Sequence, residues 1–210
     1  WTATLHDKLH NQVHEVQVRS VVNATGPWVT DVLKQFNGSI GRHQTRLVKG
    51  SHIIVPRLYG EDHAYILQND DKRIVFVIPY EKDYTLIGTT DVEYQGDPAK
   101  VEIEEAEIAY LCRAVNRYFD QQINEDDVLW SYSGVRPLLD DGDMEAAAVT
   151  RDYKLDMERL NGAPIMNIYG GKLTTYRCLS EHVVDEMVKI LEKGGAAWTK
   201  DAVLPGGHLS

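Results

Sequence analysis

The sequence predicts an α/β domain interrupted by an inserted, mainly antiparallel sheet, an architecture of the α+β kind. Three observations predict it. The chain opens with a buried strand, VRSVVNATG, that leads into a short helix. Strand-like segments then follow one another from Thr45 to Asp91, and one amphipathic helix comes after them. The chain finishes with a strand that runs into a closing helix. A sheet inserted into an α/β domain produces this order, and a single α+β domain without further specialisation is the alternative.

Residues 1–44 are predicted to form a hairpin, a buried strand and a short helix. Thr, Leu and Val alternate with polar residues at the start, which favours strands over a helix. The same alternation argues against a metal site at His6, His10 and His14, although a spacing of four would put them on one helix face. Pro27 suits the first turn of the helix GPWVTDVLKQF, and NGSIG follows as a glycine-rich break.

Residues 45–160 are predicted to form the inserted sheet with one helix. LVKGSHIIVP, AYILQ, RIVFVIPY and DYTLIGTTD are rich in β-branched and aromatic residues, and EKD suits a hairpin turn. The segment VEIEEAEIAYLCRAVNRYF places its apolar residues on one helical face, with acidic residues in the first turn and arginines near the end. Further strands are predicted at AAAVT and YKL.

Residues 161–210 are predicted to return to the first domain. PIMNIYG is a strand that ends in two glycines, and a helix follows from about Thr174 to Lys193 until Gly194 and Gly195 end it.

The composition and the net charge limit the kinds of ligand that this protein is expected to bind. Hydrophobic residues make up 43% and charged residues 26%, the profile of a soluble globular protein. The net charge of −10 argues against a nucleic-acid partner, because neutralising phosphates needs a basic surface. A small anionic ligand stays compatible, since its site needs only local positive charge. Cys112 and Cys178 have no metal or redox spacing, which favours reduced thiols in a cytoplasmic setting.

The segment IYGGKLTTYRCL has features of a ligand-binding turn. Gly170 and Gly171 let the backbone approach a ligand closely, because no Cβ blocks the way. The free N–H groups of the following first helical turn favour an anion, and Lys172 adds a full charge. Thr174 and Thr175 are candidate N-cap residues. An ordinary strand–helix turn with an exposed lysine is the alternative.

Two arginines and a histidine are further candidates. Arg136 lies between Gly134 and Pro137, and Arg151 follows a predicted strand; guanidinium groups bind phosphate or carboxylate in bidentate fashion. A salt bridge to one of the many aspartates is the alternative for each arginine. His52 begins an apolar strand, where a structural role is the alternative. Asp91 in GTTD is a weaker catalytic candidate.

Eight segments occur in an order that resembles one family: VVNATGPW, RLVKGSHIIVP, YILQNDDKRIVFVIPY, LIGTTDVEYQGDP, WSYSGVRPL, TRDY, GGKLTTYR and AWTKDAVLPGG. Together they closely resemble the FAD-dependent glycerol-3-phosphate dehydrogenases of aerobic bacteria, which belong to the D-amino-acid-oxidase-like flavoproteins. The resemblance covers nearly the whole chain after the opening hairpin. It implies a Rossmann-like FAD-binding domain interrupted by an antiparallel substrate-binding sheet.

One departure from the family pattern affects the expected properties of this chain. The family begins with a strand–GxGxxG–helix unit that binds the FAD pyrophosphate, and the present sequence contains no GxGxxG. The chain is therefore expected to be a middle fragment, with part of the FAD domain over 1–44, the substrate sheet over 45–160 and the return over 161–210. By itself it is expected to bind FAD weakly or not at all and to be inactive.

The resemblance implies a reaction for the intact enzyme: oxidation of sn-glycerol 3-phosphate to dihydroxyacetone phosphate, with hydride transfer from C2 to FAD and electrons passed to membrane quinone. His52 would be the general base, and Arg136 and Lys172 would also act in catalysis. Arg136, Arg151 and Lys172 would bind the substrate. The residues expected to contact FAD are Ala24, Thr25, Gly26, Gly134, Gly170, Gly171, Lys172, Leu173 and Thr174. The implied location is cytoplasmic, peripheral on the inner face of the membrane.

Two other functions stay open at this point. A related flavin oxidase of an amino or hydroxy acid would use arginine for a carboxylate, although one such group would suffice. A non-catalytic anion-binding or interaction module is the second alternative, favoured by the missing glycine motif. Assembly as a homodimer also stays open.

Overall fold

The computed structural model describes residues 1–36, 43, 45–139 and 152–207. The predicted break NGSIG, the predicted strand AAAVT and the candidate Arg151 lie outside these residues. By its contacts the chain divides into two compact units. Unit 1 comprises Trp1–Gln44 and Arg151–Ser210, and unit 2 is the continuous segment Thr45–Thr150.

The elements of unit 1 come from both ends of the chain. Their bounds are β1 Thr2–Asp7, β2 Gln12–Gln17, β3 Val21–Asn23, α1 Val29–Gln35, β10 Tyr153–Leu160, β11 Ala163–Gly170 and α3 Tyr176–Leu191. The strands β1 and β2 form a separate antiparallel hairpin. The central sheet has the order β10-β11-β3; β10 and β11 are antiparallel, whereas β11 and β3 are parallel. Met166 of β11 packs against Val183 and Met187 of α3.

Unit 2 contains a six-stranded antiparallel sheet and one long helix. Its bounds are β4 Thr45–Pro56, β5 Tyr65–Gln68, β6 Ile74–Tyr80, β7 Tyr84–Gly88, β8 Val92–Glu93, α2 Glu105–Asn116 and β9 Trp130–Leu139. The long strand β4 is central: β9 pairs with one of its edges, and β7 and β8 pair with the other. The mixed fold, with an antiparallel sheet inserted between the parts of an α/β unit, confirms the predicted fold class.

The two faces of the unit 2 sheet differ in composition because successive strand residues point to opposite sides. On one face, the apolar side chains of the sheet pack against those of α2, and both sets are almost completely buried. The sheet contributes Ile53, Val55, Val75, Val77 and Ile87, and α2 contributes Leu111 and Val115. Burial of each such side chain stabilises the fold by about 1.5–3 kcal/mol. The opposite face carries exposed aromatic residues, among them Phe76 and Tyr132, and it also carries the candidate site.

Two features differ from the sequence prediction. The return to the first domain was predicted at residue 161, but unit 1 resumes at Arg151, because β10 pairs with β11 from Tyr153 to Leu160. The strand β9 was not predicted at all. It contains Gly134 and Pro137, both unfavourable in strands, and Pro is accommodated because β9 lies at the sheet edge.

Candidate active site

His52 and Arg136 lie on the same face of the unit 2 sheet. In the β4–β9 ladder Val48 is opposite Arg136, Gly50 is opposite Gly134, and His52 is opposite Tyr132. Residues that are opposite one another in an antiparallel pair point to the same side. The antiparallel pairing of two strands distant in sequence therefore brings these two candidate residues together.

Glycines make the room that both side chains occupy. A Cβ added at Gly50 would lie 2.3 Å from Nη2 of Arg136, so the guanidinium lies directly over this residue. A Cβ at Gly88, which is opposite His52 on the other edge of β4, would lie 2.1 Å from the Cδ2 atom of the imidazole. At Gly134 an added Cβ would meet nothing within 4 Å. The sheet thus presents a glycine floor, formed by Gly50, Gly88 and Gly134, with open space above Gly134.

The guanidinium of Arg136 is held by the segment that follows β7. Its Nη1 donates to Oδ1 of Asp91 at 2.8 Å and its Nη2 donates to Oγ1 of Thr89 at 2.9 Å. A longer contact of 3.4 Å joins Nη1 to the carbonyl oxygen of Thr90. The Arg136 side chain is 27% exposed and that of Asp91 13%. The ion pair considered as the alternative role of Arg136 is therefore present, and it fixes the orientation of a charge that solvent can still reach.

His52 is in a setting that keeps its imidazole neutral. The ring stacks on Tyr132 with centroids 4.8 Å apart and planes at 5°. Burial, and secondarily the positive charge of Arg136, lower the pKa of His52 below its usual 6.5. Its buried Nδ1 has no hydrogen-bond partner among the described residues. A structural histidine normally pairs such a nitrogen, so the unsatisfied atom favours a catalytic role.

In unit 1, several predicted cofactor contacts lie at one edge of the central sheet. Because β3 and β11 are parallel, their carboxyl ends meet at the same edge, which is where ligands bind in open α/β sheets. Gly26 follows β3 with φ +56°, and Gly170 and Gly171 end β11 with φ +69° and +97°. These left-handed conformations favour glycine. At Gly170 a Cβ would also lie 2.6 Å from the carbonyl oxygen of Asp152.

Two asparagines hold the ends of these strands in place. Nδ2 of Asn23 donates to Oδ1 of Asn167 at 3.0 Å, across the β3–β11 pair, and also to the carbonyl oxygen of Val29 at 2.9 Å. Thr25 donates its hydroxyl to Oδ1 of Asn23 at 2.7 Å. Both asparagines are almost completely buried. The NATG turn, with Ala24, Thr25 and Gly26, is therefore fixed by a satisfied polar network.

A cavity of about 350 Å³ borders this edge. Its lining includes Val22, Ala24, Gly26, Ile168, Gly170 and Leu179. The cavity and the close backbone approach at three glycines suit the part of a planar cofactor that contacts protein mainly through main-chain groups.

The turn after β11 leads into α3 through one short 3₁₀ turn. A 3₁₀ turn, Leu173–Thr175, precedes α3, and Lys172 is its first flanking residue. Of the two candidate N-cap residues, Thr175 contacts Lys172: its hydroxyl accepts from the backbone N–H of Lys172 at 3.4 Å and donates to the Lys172 carbonyl at 3.0 Å. Lys172, Leu173 and Thr174 are all exposed.

The candidate residues fall into two groups. Unit 2 brings together His52, Arg136 and Gly134, whereas the other described candidates, Lys172 included, belong to unit 1. Thr89, Tyr132 and Asn23 were not predicted as site residues, and Asp91 was predicted only as a weaker catalytic candidate, not as an anchor for Arg136. These residues lie in LIGTTDVEYQGDP, WSYSGVRPL and VVNATGPW, three of the segments that carry the family resemblance. That resemblance is the signal that could have pointed to them. Within the described residues no group of three or more side chains could hold a metal ion.

The parallel strand ends with left-handed glycines, and an antiparallel sheet inserted between the two parts of an α/β unit, are the features expected for an FAD-dependent oxidoreductase. The chain belongs to the family of FAD-dependent oxidoreductases (DAO), whose profile matches residues 2–177. The predicted family resemblance and the FAD cofactor of that family are thereby confirmed.

The names of individual relatives are more specific than the description of the family. The chain is 50% identical to the aerobic glycerol-3-phosphate dehydrogenase of Escherichia coli (strain K12) over 100% of its length and 42% of that protein. It is 46% identical to D-erythritol 1-phosphate dehydrogenase of Brucella abortus (strain 2308), with the same coverage. The crystal structure of glycerol-3-phosphate dehydrogenase from Bacillus halodurans complexed with FAD is similar with a TM-score of 0.75 at 29% identity, over 94% of this chain and 37% of that one. The chain thus spans about two fifths of these relatives.

Proposed function

We propose that the protein containing this chain oxidises sn-glycerol 3-phosphate to dihydroxyacetone phosphate. The observation that carries the proposal is the glycine floor with His52 and Arg136 beside it on one sheet face. It offers a neutral base, an oriented cation and space between strands for a small organic phosphate. The names of the relatives in Escherichia coli and Bacillus halodurans support the same substrate.

In the proposed reaction, His52 and Arg136 of unit 2 have different roles. Oxidation of the secondary alcohol removes a hydride from C2 and a proton from its hydroxyl, leaving a ketone. FAD, when bound, accepts the hydride. His52 accepts the hydroxyl proton, because its lowered pKa leaves the imidazole neutral near pH 7. Arg136, held by Asp91 and Thr89, binds substrate oxygens with charge-assisted hydrogen bonds.

Unit 1 supplies the contacts to the cofactor in this proposal. Gly26, Gly170 and Gly171 fit FAD, because their left-handed backbone and missing side chains allow close approach at the carboxyl edge of the sheet. The exposed Lys172 supplies positive charge for substrate or flavin. Arg151 is proposed as the second phosphate ligand on the strength of the family segment TRDY alone.

Quinone reduction and peripheral attachment to the inner face of the cytoplasmic membrane also belong to the proposal, as does homodimer assembly. None of the described helices is long and apolar enough to cross a membrane.

A second phosphorylated polyol is a specific competitor. The relative in Brucella abortus is a D-erythritol 1-phosphate dehydrogenase and is nearly as similar to this chain. Purified intact protein should therefore be assayed with both phosphates and with glycerol, with a quinone analogue or oxygen as acceptor. We expect glycerol 3-phosphate and the quinone analogue to give the highest kcat/KM. Faster oxidation of D-erythritol 1-phosphate would reassign the substrate, and hydrogen peroxide as main product would favour the oxidase alternative.

Arg151→Ala tests the phosphate clamp. Loss of one charge-assisted contact costs about 1.5–3 kcal/mol, so KM for glycerol 3-phosphate should rise roughly ten- to a hundredfold. Oxidation of unphosphorylated glycerol should change little. Arg151→Lys should recover only part of the loss, because an ammonium lacks the bidentate geometry. Equal losses on glycerol and on its phosphate would show that Arg151 does not bind phosphate.

A further inference from the structure

A buried polar cluster lies on the opposite face of the unit 2 sheet from His52 and Arg136. It is formed by Lys49 and Ser51 of β4, Thr90 after β7 and Glu107 of α2. The Lys49 and Glu107 side chains are 1% and 5% exposed, and their Nζ and Oε2 atoms are 2.7 Å apart. An ion pair buried this deeply needs further hydrogen bonds to offset the loss of hydration.

Both oxygens of Glu107 have two donors. Oε1 accepts from the hydroxyls of Ser51 at 2.8 Å and Thr90 at 2.6 Å. Oε2 accepts from Lys49 and from the backbone N–H of Glu104 at 3.0 Å. Burial alone would raise the pKa of Glu107, but these bonds lower it, so the side chain is a carboxylate.

The cluster reaches the candidate site through Thr90. This residue lies between Thr89 and Asp91, the two side chains that hold Arg136 on the other face. While its hydroxyl donates to Glu107, the same oxygen accepts the backbone N–H of Ser51 at 2.9 Å. The segment is thus fastened to both β4 and α2 at its central residue.

We propose that Glu107 is a positioning residue for the active site: by fixing Thr90, it sets the positions of Thr89 and Asp91 and hence of the Arg136 guanidinium over Gly50. The inference rests on the proposed function only where substrate kinetics are used to test it.

Substitutions at Glu104 and Thr90 separate the effect of the Glu107 ion pair from that of the link to the site. Glu104 also binds Lys49, at 2.5 Å, but it is 68% exposed and its side chain contacts neither Thr90 nor Ser51. Glu104→Gln therefore removes an ion pair to the same lysine, while the amide oxygen of glutamine can still accept the backbone N–H of Glu107 in the capping box of α2. The hydrogen bonds of Thr90 are unchanged in this variant. Thr90→Val removes the linking hydroxyl and keeps the ion pair, whereas Thr90→Ser keeps the hydroxyl and removes a methyl group.

The kinetic arm uses the intact protein with glycerol 3-phosphate. We expect Glu107→Gln and Thr90→Val to raise KM roughly tenfold, with a smaller change in kcat, because the guanidinium loses its fixed orientation. Thr90→Ser and Glu104→Gln should stay within about twofold of the wild type. The rescue by serine separates the hydroxyl from the packing of the side chain.

The second arm needs no activity. The pKa of His52 can be followed by NMR of carbon-13-labelled histidine, with His52→Gln assigning the signal. Displacement of the Arg136 charge should raise this pKa in Thr90→Val, which adds or removes no charge of its own, and the pKa should stay unchanged in Glu104→Gln. If Glu107→Gln does not fold, Thr90→Val decides. Wild-type KM and wild-type His52 pKa in folded Thr90→Val would overturn the inference. An inactive wild type would instead refute the proposed function, and the NMR arm would still decide this one.

Discussion

The proposed role of His52 as a base depends on what surrounds its ring. Gly88 leaves room beneath the imidazole, Tyr132 stacks on it, and burial together with Arg136 disfavours the protonated form. Gly88 belongs to β7, whereas Tyr132 and Arg136 belong to β9, on the other edge of β4. The residue therefore acquires its chemistry from tertiary contacts rather than from its local sequence.

His52→Gln is expected to lower the turnover of glycerol 3-phosphate by roughly 10²–10⁴-fold, since the general base is lost. Affinity for a phosphate-bearing product analogue should change little. In the wild type, kcat/KM should fall as the pH drops through the lowered pKa of His52, below 6.5, because protonation removes the base. This inflection should be absent in the variant. Near-normal turnover would assign His52 to structure and make Lys172 the next candidate.

Gly50→Ala tests the position of the guanidinium. Its new Cβ would lie 2.3 Å from Nη2 of Arg136, and the flexible arginine would have to move away. We expect KM to rise about tenfold while the midpoint of urea unfolding changes little. Gly60→Ala is the control, because a Cβ there meets nothing within 4 Å. Similar kinetics for both variants would contradict the placement of Arg136.

The sequence predicted His52, Arg136 and the left-handed glycines as candidate site residues, but it did not predict which residues contact them. Thr89 and Asp91 hold Arg136 across a sequence separation of more than forty residues. Such a contact depends on the register of β4 with β7 and β9, which no local pattern specifies.

Among the elements, the strands with alternating or continuous apolar patterns were predictable and β9 was not. The segment Trp130–Leu139 contains Gly134 and Pro137, which lower strand propensity. Its pairing with ten residues of β4 outweighs that propensity. The strand that carries Arg136 is therefore specified by its partner, and the glycine that weakens it locally leaves the open space beside the site.

The fold is expected to require glycine at position 170, where β11 ends. Gly170→Ala combines an unfavourable φ of +69° with a Cβ 2.6 Å from the backbone oxygen of Asp152, which cannot move aside as a side chain can. We expect a loss of at least about 1–2 kcal/mol in the free energy of unfolding. Gly195→Ala, where an added Cβ meets nothing within 4 Å, should have little effect. Urea titration of both variants measures the difference; equal midpoints would contradict it.

The stability of the folded protein should depend on pH through two buried ionisable groups, one an acid and the other a base. The folded pKa of Glu107 is lowered, so its contribution is present above about pH 4.5 and is lost as the pH falls through the folded value. The pKa of His52 is also lowered, but for a base this means that acidification below 6.5 favours the unfolded chain, which binds the proton more tightly.

The unfolding midpoint of the wild type should therefore decline on acidification in two ranges. His52→Gln should flatten the decline that begins near pH 6.5, and Glu107→Gln the one below about pH 4.5. Urea unfolding from neutral to acid pH checks both. A decline in His52→Gln that parallels the wild type between these values would show that His52 is not neutral in the folded protein.

The pairing of the two ends of unit 2 has a consequence for the order of events during synthesis. Thr45 lies opposite Leu139 in the β4–β9 ladder, so the chain leaves this sheet next to the point where it entered. On the ribosome, β3 emerges long before its partner β11, yet unit 2 is continuous and can complete its ladder in between. Ribosome-bound chains that end before β10 and carry a linker long enough to place β9 outside the ribosome should already protect β4 and β9 from protease. Once that ladder exists, joining β3 to β11 costs less loop-closure entropy, because the 95 residues from Thr45 to Leu139 no longer contribute to the loop.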